Sequence, residues 1–256
     1  MICSLGIIGT GHLSEFVCEG LRGSGWNQPL IISPHNRASA EIFQKRFNAT
    51  IAETNQQVVD HTDAVFLAVR PAQIKHALSG IVWPTHQTII SAAAGFKLSD
   101  FALLNVDAKI VRVMPLSAAA VMASPTTIFP NVTDVVELMK CVGSVIPLMS
   151  EHEFDAATAN AAAYGWYFAL VDEIIRANVS AGVSADSAKR LSLETLAAVV
   201  KVSQASSKSG ESILKHLATP GGITAHGLDI LKERQAIEDW GVAFDSVVRR
   251  LGLSQR

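Results

Sequence analysis

Hydrophobic and polar positions along the chain fall into two regimes that meet near residue 150. Before that point, short β-rich apolar runs alternate with amphipathic segments: SLGII at 4–8, LIIS at 30–33, AVFLAV at 64–69, TIISAAA at 88–94, KIVRVM at 109–114 and TTIF at 126–129. Runs of this kind separated by helix-length segments, such as 38–47 and 72–79, predict a parallel sheet buried on both faces by crossover helices. From 151 onward only helical periodicity is visible, punctuated by Gly182, Gly210 and the cluster at 220–222. The predicted helices at 154–179 and 185–206 are apolar on nearly every side, and such a helix needs cover on every side. A domain of this size has little capacity to supply that cover, so a second subunit is expected to bury them, with a compact monomeric bundle as the alternative.

The first apolar run turns through LGIIGTGHLS at 5–14 into a predicted helix. Glycines at Gly9 and Gly11 suit a turn in which a pyrophosphate lies against bare backbone at a positively polarised helix N-terminus. Ser14 occupies the third small position of that pattern and still allows helix to approach strand. A tight turn with no ligand has the same local signature. With the alternating strands, the segment predicts an N-terminal Rossmann-like doubly wound α/β sheet over 1–150, followed by an all-helical dimerisation and substrate domain over 151–256.

Composition narrows the partners. The 256 residues are 49% hydrophobic and 17% charged, with a net charge of −2. No basic run suggests nucleic acid. The longest apolar run, 161–171, is about half of what a membrane span requires, and the start of the sequence shows no secretory signal pattern. Three cysteines, Cys3, Cys18 and Cys141, have no paired or metal-like spacing, which predicts reduced thiols, no metal and a cytoplasmic setting. His12, His61, His76, His216 and His226 show no ligand spacing and read as surface or capping residues.

The expected cofactor contacts follow the strand ends. Beyond the second strand, a site for NAD places an acid to bind the ribose hydroxyls. Here the segment is SPHNR, in which Ser33 can hydrogen-bond a phosphate and Arg37 can pair with it through a planar fork. NADPH is therefore expected in preference to NADH. Ser33 and Asn36 could equally cap a helix starting at Arg37. Ala68, Val69 and Pro71, at the end of LAVRP, and Ala93, within SAAAG, are small or rigid residues at carboxyl ends of strands, where ligands of open α/β sheets lie. A proline there is also an ordinary strand stop and helix start.

The ordered series GTGHLS at 9–14, LAVRP at 67–71, SAAAG at 91–95, RVMP at 112–115 and ATPGGITAHGLDIL at 218–231 resembles the pyrroline-5-carboxylate reductase family over nearly the full length. The resemblance implies a Rossmann domain with an interlocking helical dimerisation domain. It also implies hydride transfer from NADPH or NADH to a cyclic imine, 1-pyrroline-5-carboxylate giving L-proline. A protonated imine is already an electrophile, so such chemistry needs positioning more than acid–base machinery. By the resemblance, Gly9, Thr10, Gly11, His12, Leu13, Asn55, Met114 and Pro115 contact the cofactor. Thr219, Gly221, Gly222 and Ile223 would present backbone N–H groups to the substrate carboxylate, and Thr224 would hydrogen-bond the ring nitrogen as the catalytic residue. Taken without the upstream series, Gly221 and Gly222 read as a tight turn and Thr224 as a helix cap.

Two segments depart from the family pattern. Leu116, Ser117 and Ala118 replace the usual Asn-Thr-Pro after RVMP, and NAAAYGW at 160–166 replaces a Ser- and Gly-rich entry to the long helix. Both fall on the expected substrate side. A reductase of the 3-hydroxyacid dehydrogenase type and a non-catalytic NADPH-binding module therefore remain as alternatives. The first lacks its Lys and Asn pair beyond residue 150. The expected partners are a small-molecule substrate and a second copy of the chain through the helical domain, with a higher oligomer left open.

Overall fold

The computed structural model describes residues 1–104 and 106–253. The chain divides into two compact units, Met1–Thr158 and Ala159–Arg256.

In the first unit, the apolar runs become β1 (Leu5–Ile8), β2 (Leu30–Ile32), β4 (Ala64–Leu67), β5 (Thr88–Ser91), β6 (Lys109–Met114) and β7 (Thr126–Phe129). Two shorter strands, β3 (Thr50–Ile51) and β8 (Val145–Pro147), complete one sheet ordered β3-β2-β1-β4-β5-β6-β7-β8. Neighbours are parallel except β6 and β7, which run antiparallel with Met114 opposite Thr127. The connection at 115–125 holds only a 3₁₀ turn, Ser117–Val121, in place of a crossover helix, so the chain returns antiparallel. The sheet is thus mainly parallel, as the runs predict, with one antiparallel pair added at β6 and β7.

Alternate strand residues enter different cores. Ile7, Phe66 and Ile90 pack with Val17, Leu21 and Phe43 on one face, and Ile8, Val65, Leu67 and Ile89 pack with Val58 and Phe101 on the other. That is why the runs are apolar throughout and do not alternate. The covering helices are α1 (His12–Gly23), α2 (Arg37–Phe47), α3 (Asn55–Asp60), α4 (Ile74–Leu78, after a 3₁₀ turn at Pro71–Gln73), α5 (Leu98–Leu103), α6 (Thr133–Lys140) and α7 (Glu151–Ala157). Helix α1 fits closely against the 3₁₀ turn at Ser117–Val121, since a Cβ on Gly20 would lie 2.0 Å from the Ala119 carbonyl oxygen.

The second unit holds α8 (Asn160–Ser180), α9 (Ala185–Ala205), α10 (Gly210–Leu217), α11 (Ile223–Glu233) and α12 (Glu238–Arg250). The single helix expected over 154–179 is two, because α7 ends at Ala157 and α8 begins at Asn160. Helices α8 and α9 pack on each other, and Tyr167 of α8 stacks on Trp240 of α12. Much apolar surface of α8 and α9 stays open, including Tyr167, Phe168, Leu191 and Val199. No helix among the described residues is long and apolar enough to cross a membrane.

Candidate functional site

The strands from β2 to β6 are parallel, so their carboxyl ends share one edge of the sheet. A cavity of about 530 Å³ opens beyond β1, β2 and β4. Its volume is that of a small-molecule cleft, and it lies where an open α/β sheet binds its ligand.

The turn after β1 forms its floor. Gly9 has φ +104°, and a Cβ there would approach the Ala68 carbonyl carbon to 2.7 Å. Only glycine suits both the backbone and the contact. Ser14, fully buried, donates its hydroxyl to the Gly9 carbonyl at 2.5 Å and ties α1 back to the turn. Gly11 is the N-cap of α1, and no side chain caps this helix. A Cβ at Gly11 would meet no protein atom within 4 Å, so the space before it belongs to the cavity. The first-turn N–H groups of α1 thus remain available to an anion. Glu15, the acid of that turn, is neutralised by ion pairing with Arg46.

Of the residues expected to hold a cofactor, Gly9, Thr10, Gly11, Ser33, Asn55, Ala68 and Val69 line this cavity. Asn55 donates to the Ala77 carbonyl at 2.9 Å, which links α3 to α4 along the cavity wall. The Ser33 hydroxyl has no hydrogen-bond partner among the described residues. No acidic residue is among those lining the cavity. His12, Leu13, Arg37 and Pro71 lie outside the lining, and Arg37 turns its Nε to Glu41 of the same helix at 3.0 Å. Asn36 accepts from the Ser39 N–H at 3.2 Å as the N-cap of α2, and it also lines the cavity. Ala93 follows β5, Met114 ends β6 and Pro115 comes next, on the same sheet edge and also outside the lining.

His35, Arg70, Gln73 and His76 also line the cavity, none of them among the expected cofactor contacts. A residue on α4 carries no motif, and only the parallel order of β2, β1 and β4 brings the segments after β2 and β4 to one place. The imidazoles of His35 and His76 meet edge to face with ring centroids 6.3 Å apart.

The other predicted residues belong to the second unit. Gly222 is the N-cap of α11, again with no side-chain cap. Gly221 has φ +73°, and the Gly222 N–H donates to the Thr219 carbonyl at 2.9 Å. A Cβ on Gly222 would lie 2.8 Å from Thr219 Oγ1. Thr224 is the second residue of α11 and not its cap, at an exposed helix start whose first-turn N–H groups have no side-chain cap.

Of the segments that departed from the family pattern, 116–118 is half-buried, and 160–166 opens α8 with Ala163 buried and Gly165 exposed. The Leu116 N–H donates to Ser124 Oγ at 2.9 Å, and Ala119 is buried against α1. Behind them, the buried Arg112 pairs with Glu151 at 2.8 Å and Asp155 at 2.7 Å, which ties β6 to α7.

Residues 4–95 match the family model described as NADP oxidoreductase coenzyme F420-dependent. Residues 151–251 match the one described as pyrroline-5-carboxylate reductase dimerisation. The chain is 26% identical over 242 residues to pyrroline-5-carboxylate reductase 2 of Bacillus subtilis, covering 90% of this chain and 87% of that protein. In fold it is similar to the 1-pyrroline-5-carboxylate reductase of Streptococcus pyogenes, with TM-score 0.86, 24% identity and 97% of each chain covered. It is also similar to the pyrroline carboxylate reductase of Plasmodium falciparum solved with NADP bound, with TM-score 0.87, 21% identity and 97% of each chain covered.

Proposed function

From its place as a divergent member of the pyrroline-5-carboxylate reductase family, we infer that this chain is an NADPH-dependent reductase of a cyclic imine carboxylate, 1-pyrroline-5-carboxylate giving L-proline. The observation that carries the cofactor half is the acid-free cavity at the Gly9–Gly11 turn, whose uncapped helix and partnerless Ser33 hydroxyl fit a dinucleotide phosphate.

Gly9, Thr10 and Gly11 would hold the pyrophosphate on the backbone of α1. Asn55, Ala68 and Val69 would line the adenosine, while Ala93, Met114 and Pro115 continue the same sheet edge for the nicotinamide. When bound, NADPH supplies the hydride. The uncapped start of α11, with Thr219, Gly221, Gly222 and Ile223, would bind the substrate carboxylate. Thr224 would hydrogen-bond the ring nitrogen and orient the imine carbon. The imine nitrogen carries its proton before reaction, so no side chain has to deliver one.

The open apolar faces of α8 and α9 support a homodimer built through the helical domain, as does the match to a dimerisation family. Leu116 and Ala118 stand where the family carries polar and rigid residues, which favours a neighbouring cyclic imine as the second reading. NADPH oxidation is measured with pyrroline-5-carboxylate and with a panel of five- and six-membered imine carboxylates. Turnover of pyrroline-5-carboxylate that is lost in Thr224→Ala and Gly222→Leu supports the assignment. Turnover of another imine selects the second reading, and NADPH binding without any turnover overturns both.

A further inference from the structure

An anion of two charges inside this cavity needs cations or strong donors, and the structure supplies them from an unexpected pair. His35 follows β2, and His76 lies on α4, beyond β4. These two strands flank β1, so the two side chains reach the same end of the cavity from opposite sides and meet at 6.3 Å between ring centroids. Ser33, whose hydroxyl has no partner among the described residues, follows β2 two residues before His35 and lines the same cavity. Arg37, the cation that the sequence offered for this task, is outside the lining and engaged with Glu41.

We propose that His35 and His76, together with the Ser33 hydroxyl, bind the 2′-phosphate that separates NADPH from NADH, and that Arg37 does not. The proposal rests on the NADPH reading above. Imidazole N–H groups donate to phosphate oxygens, and a charge-assisted contact of this kind is stronger than a neutral one. Arg70, the guanidinium of the lining, is unchanged in every comparison below and so cannot account for differences among the variants.

The test is equilibrium binding of NADPH and of NADH, by calorimetry and without substrate, to the full chain and to His35→Ala, His76→Ala, the double variant and Arg37→Ala. All three positions are exposed, so the substitutions leave the core intact. Each histidine variant should weaken NADPH about tenfold while NADH changes by less than about twofold. Arg37→Ala should leave the ratio of the two affinities unchanged.

Equal losses for both cofactors would mean that the imidazoles pack on the adenine, and would overturn the proposal. So would an unchanged NADPH affinity in the double variant, or a ratio that collapses only in Arg37→Ala. Unmodified protein that binds the two cofactors equally, with no grip on the phosphate, also overturns it. Protein that binds neither overturns the NADPH reading itself, which separates failure of the premise from failure of the inference.

Discussion

Arg112 Nη2 lies 2.7 Å from Asp155 Oδ1, and the arginine side chain is only 1% exposed. The approach is an ion contact whose angle lies outside hydrogen-bond geometry. The same guanidinium donates through Nη1 to Glu151 at 2.8 Å and sits 4.5 Å from the centre of the Phe154 ring. Glu151 also accepts the Leu98 N–H, so one carboxylate joins β6, α5 and α7. Removing the arginine leaves buried Asp155 with only the half-exposed Lys97 ammonium, 4.0 Å away, and breaking a buried pair in this way costs about 3–5 kcal/mol.

Urea unfolding should therefore show Arg112→Ala destabilised by about 3–5 kcal/mol. Arg112→Met paired with Glu151→Gln and Asp155→Asn should recover much of the loss, because no lone charge is then buried. A triple variant no more stable than Arg112→Ala would show that the arginine acts through its packing on Phe154.

The glycine turn separates scaffold from binding surface. At Gly9 an added Cβ meets the Ala68 backbone at 2.7 Å, on a backbone of positive φ, so Gly9→Ala should both destabilise the fold and weaken NADPH. At Gly11 φ is −91° and an added side chain meets no protein atom. Gly11→Val should melt within a degree or two of the parent, yet bind NADPH at least about tenfold more weakly. Equal NADPH affinity in Gly11→Val would place the pyrophosphate elsewhere.

The same contrast shows what the sequence could reveal. The six apolar runs that became β1, β2 and β4 to β7 were legible because a sheet buried on both faces demands unbroken apolar stretches. The strands β3 and β8 are the two edges of the sheet and have no fully buried residue, so they carry no such apolar stretch. The separation of α7 from α8 was hidden because Thr158 and Ala159 keep helical dihedral angles, with no Gly or Pro to mark the junction. Of the expected cofactor residues, those on the turn after β1 line the cavity, since a local motif fixes local geometry. Arg37 has the charge, the fork and the position after β2 for such a contact, and Glu41 one turn along gives it another partner. His35 and His76 meet only through strand order, which no local pattern encodes.

Burial separates the three thiols. Cys18 lies in the core between α1 and the sheet, and desolvation pushes its thiol up to about 12, with Arg22 opposing that rise. Near pH 8 its thiolate is then only about one part in ten thousand, and the thiolate is the reactive form. Exposed Cys3 should react rapidly with a disulfide reagent, half-buried Cys141 more slowly, and Cys18 only on unfolding. The folded chain holds a proton that the unfolded chain releases, so this group's contribution to stability is complete below the ordinary thiol range and declines as pH rises through it. Rapid labelling of Cys18 in native protein would show that the α1 face of the core opens readily.

The cavity is lined wholly by residues of the first unit, whereas the open apolar surface lies on α8 and α9 of the second. Cofactor binding and assembly are therefore separable. Val199 is 56% exposed on α9, and burying such a side chain contributes about 1 kcal/mol or more. An aspartate there would force a charge into an apolar contact. In sedimentation the parent chain should run as a dimer or larger and Val199→Asp as a monomer, while NADPH affinity stays within about twofold. A parent chain that sediments as a monomer would sink the dimer proposal, and the exposed faces of α8 and α9 would then need another occupant. If Val199→Asp loses assembly and NADPH together, the two units are energetically coupled, and the cofactor site depends on the helices that the partner covers.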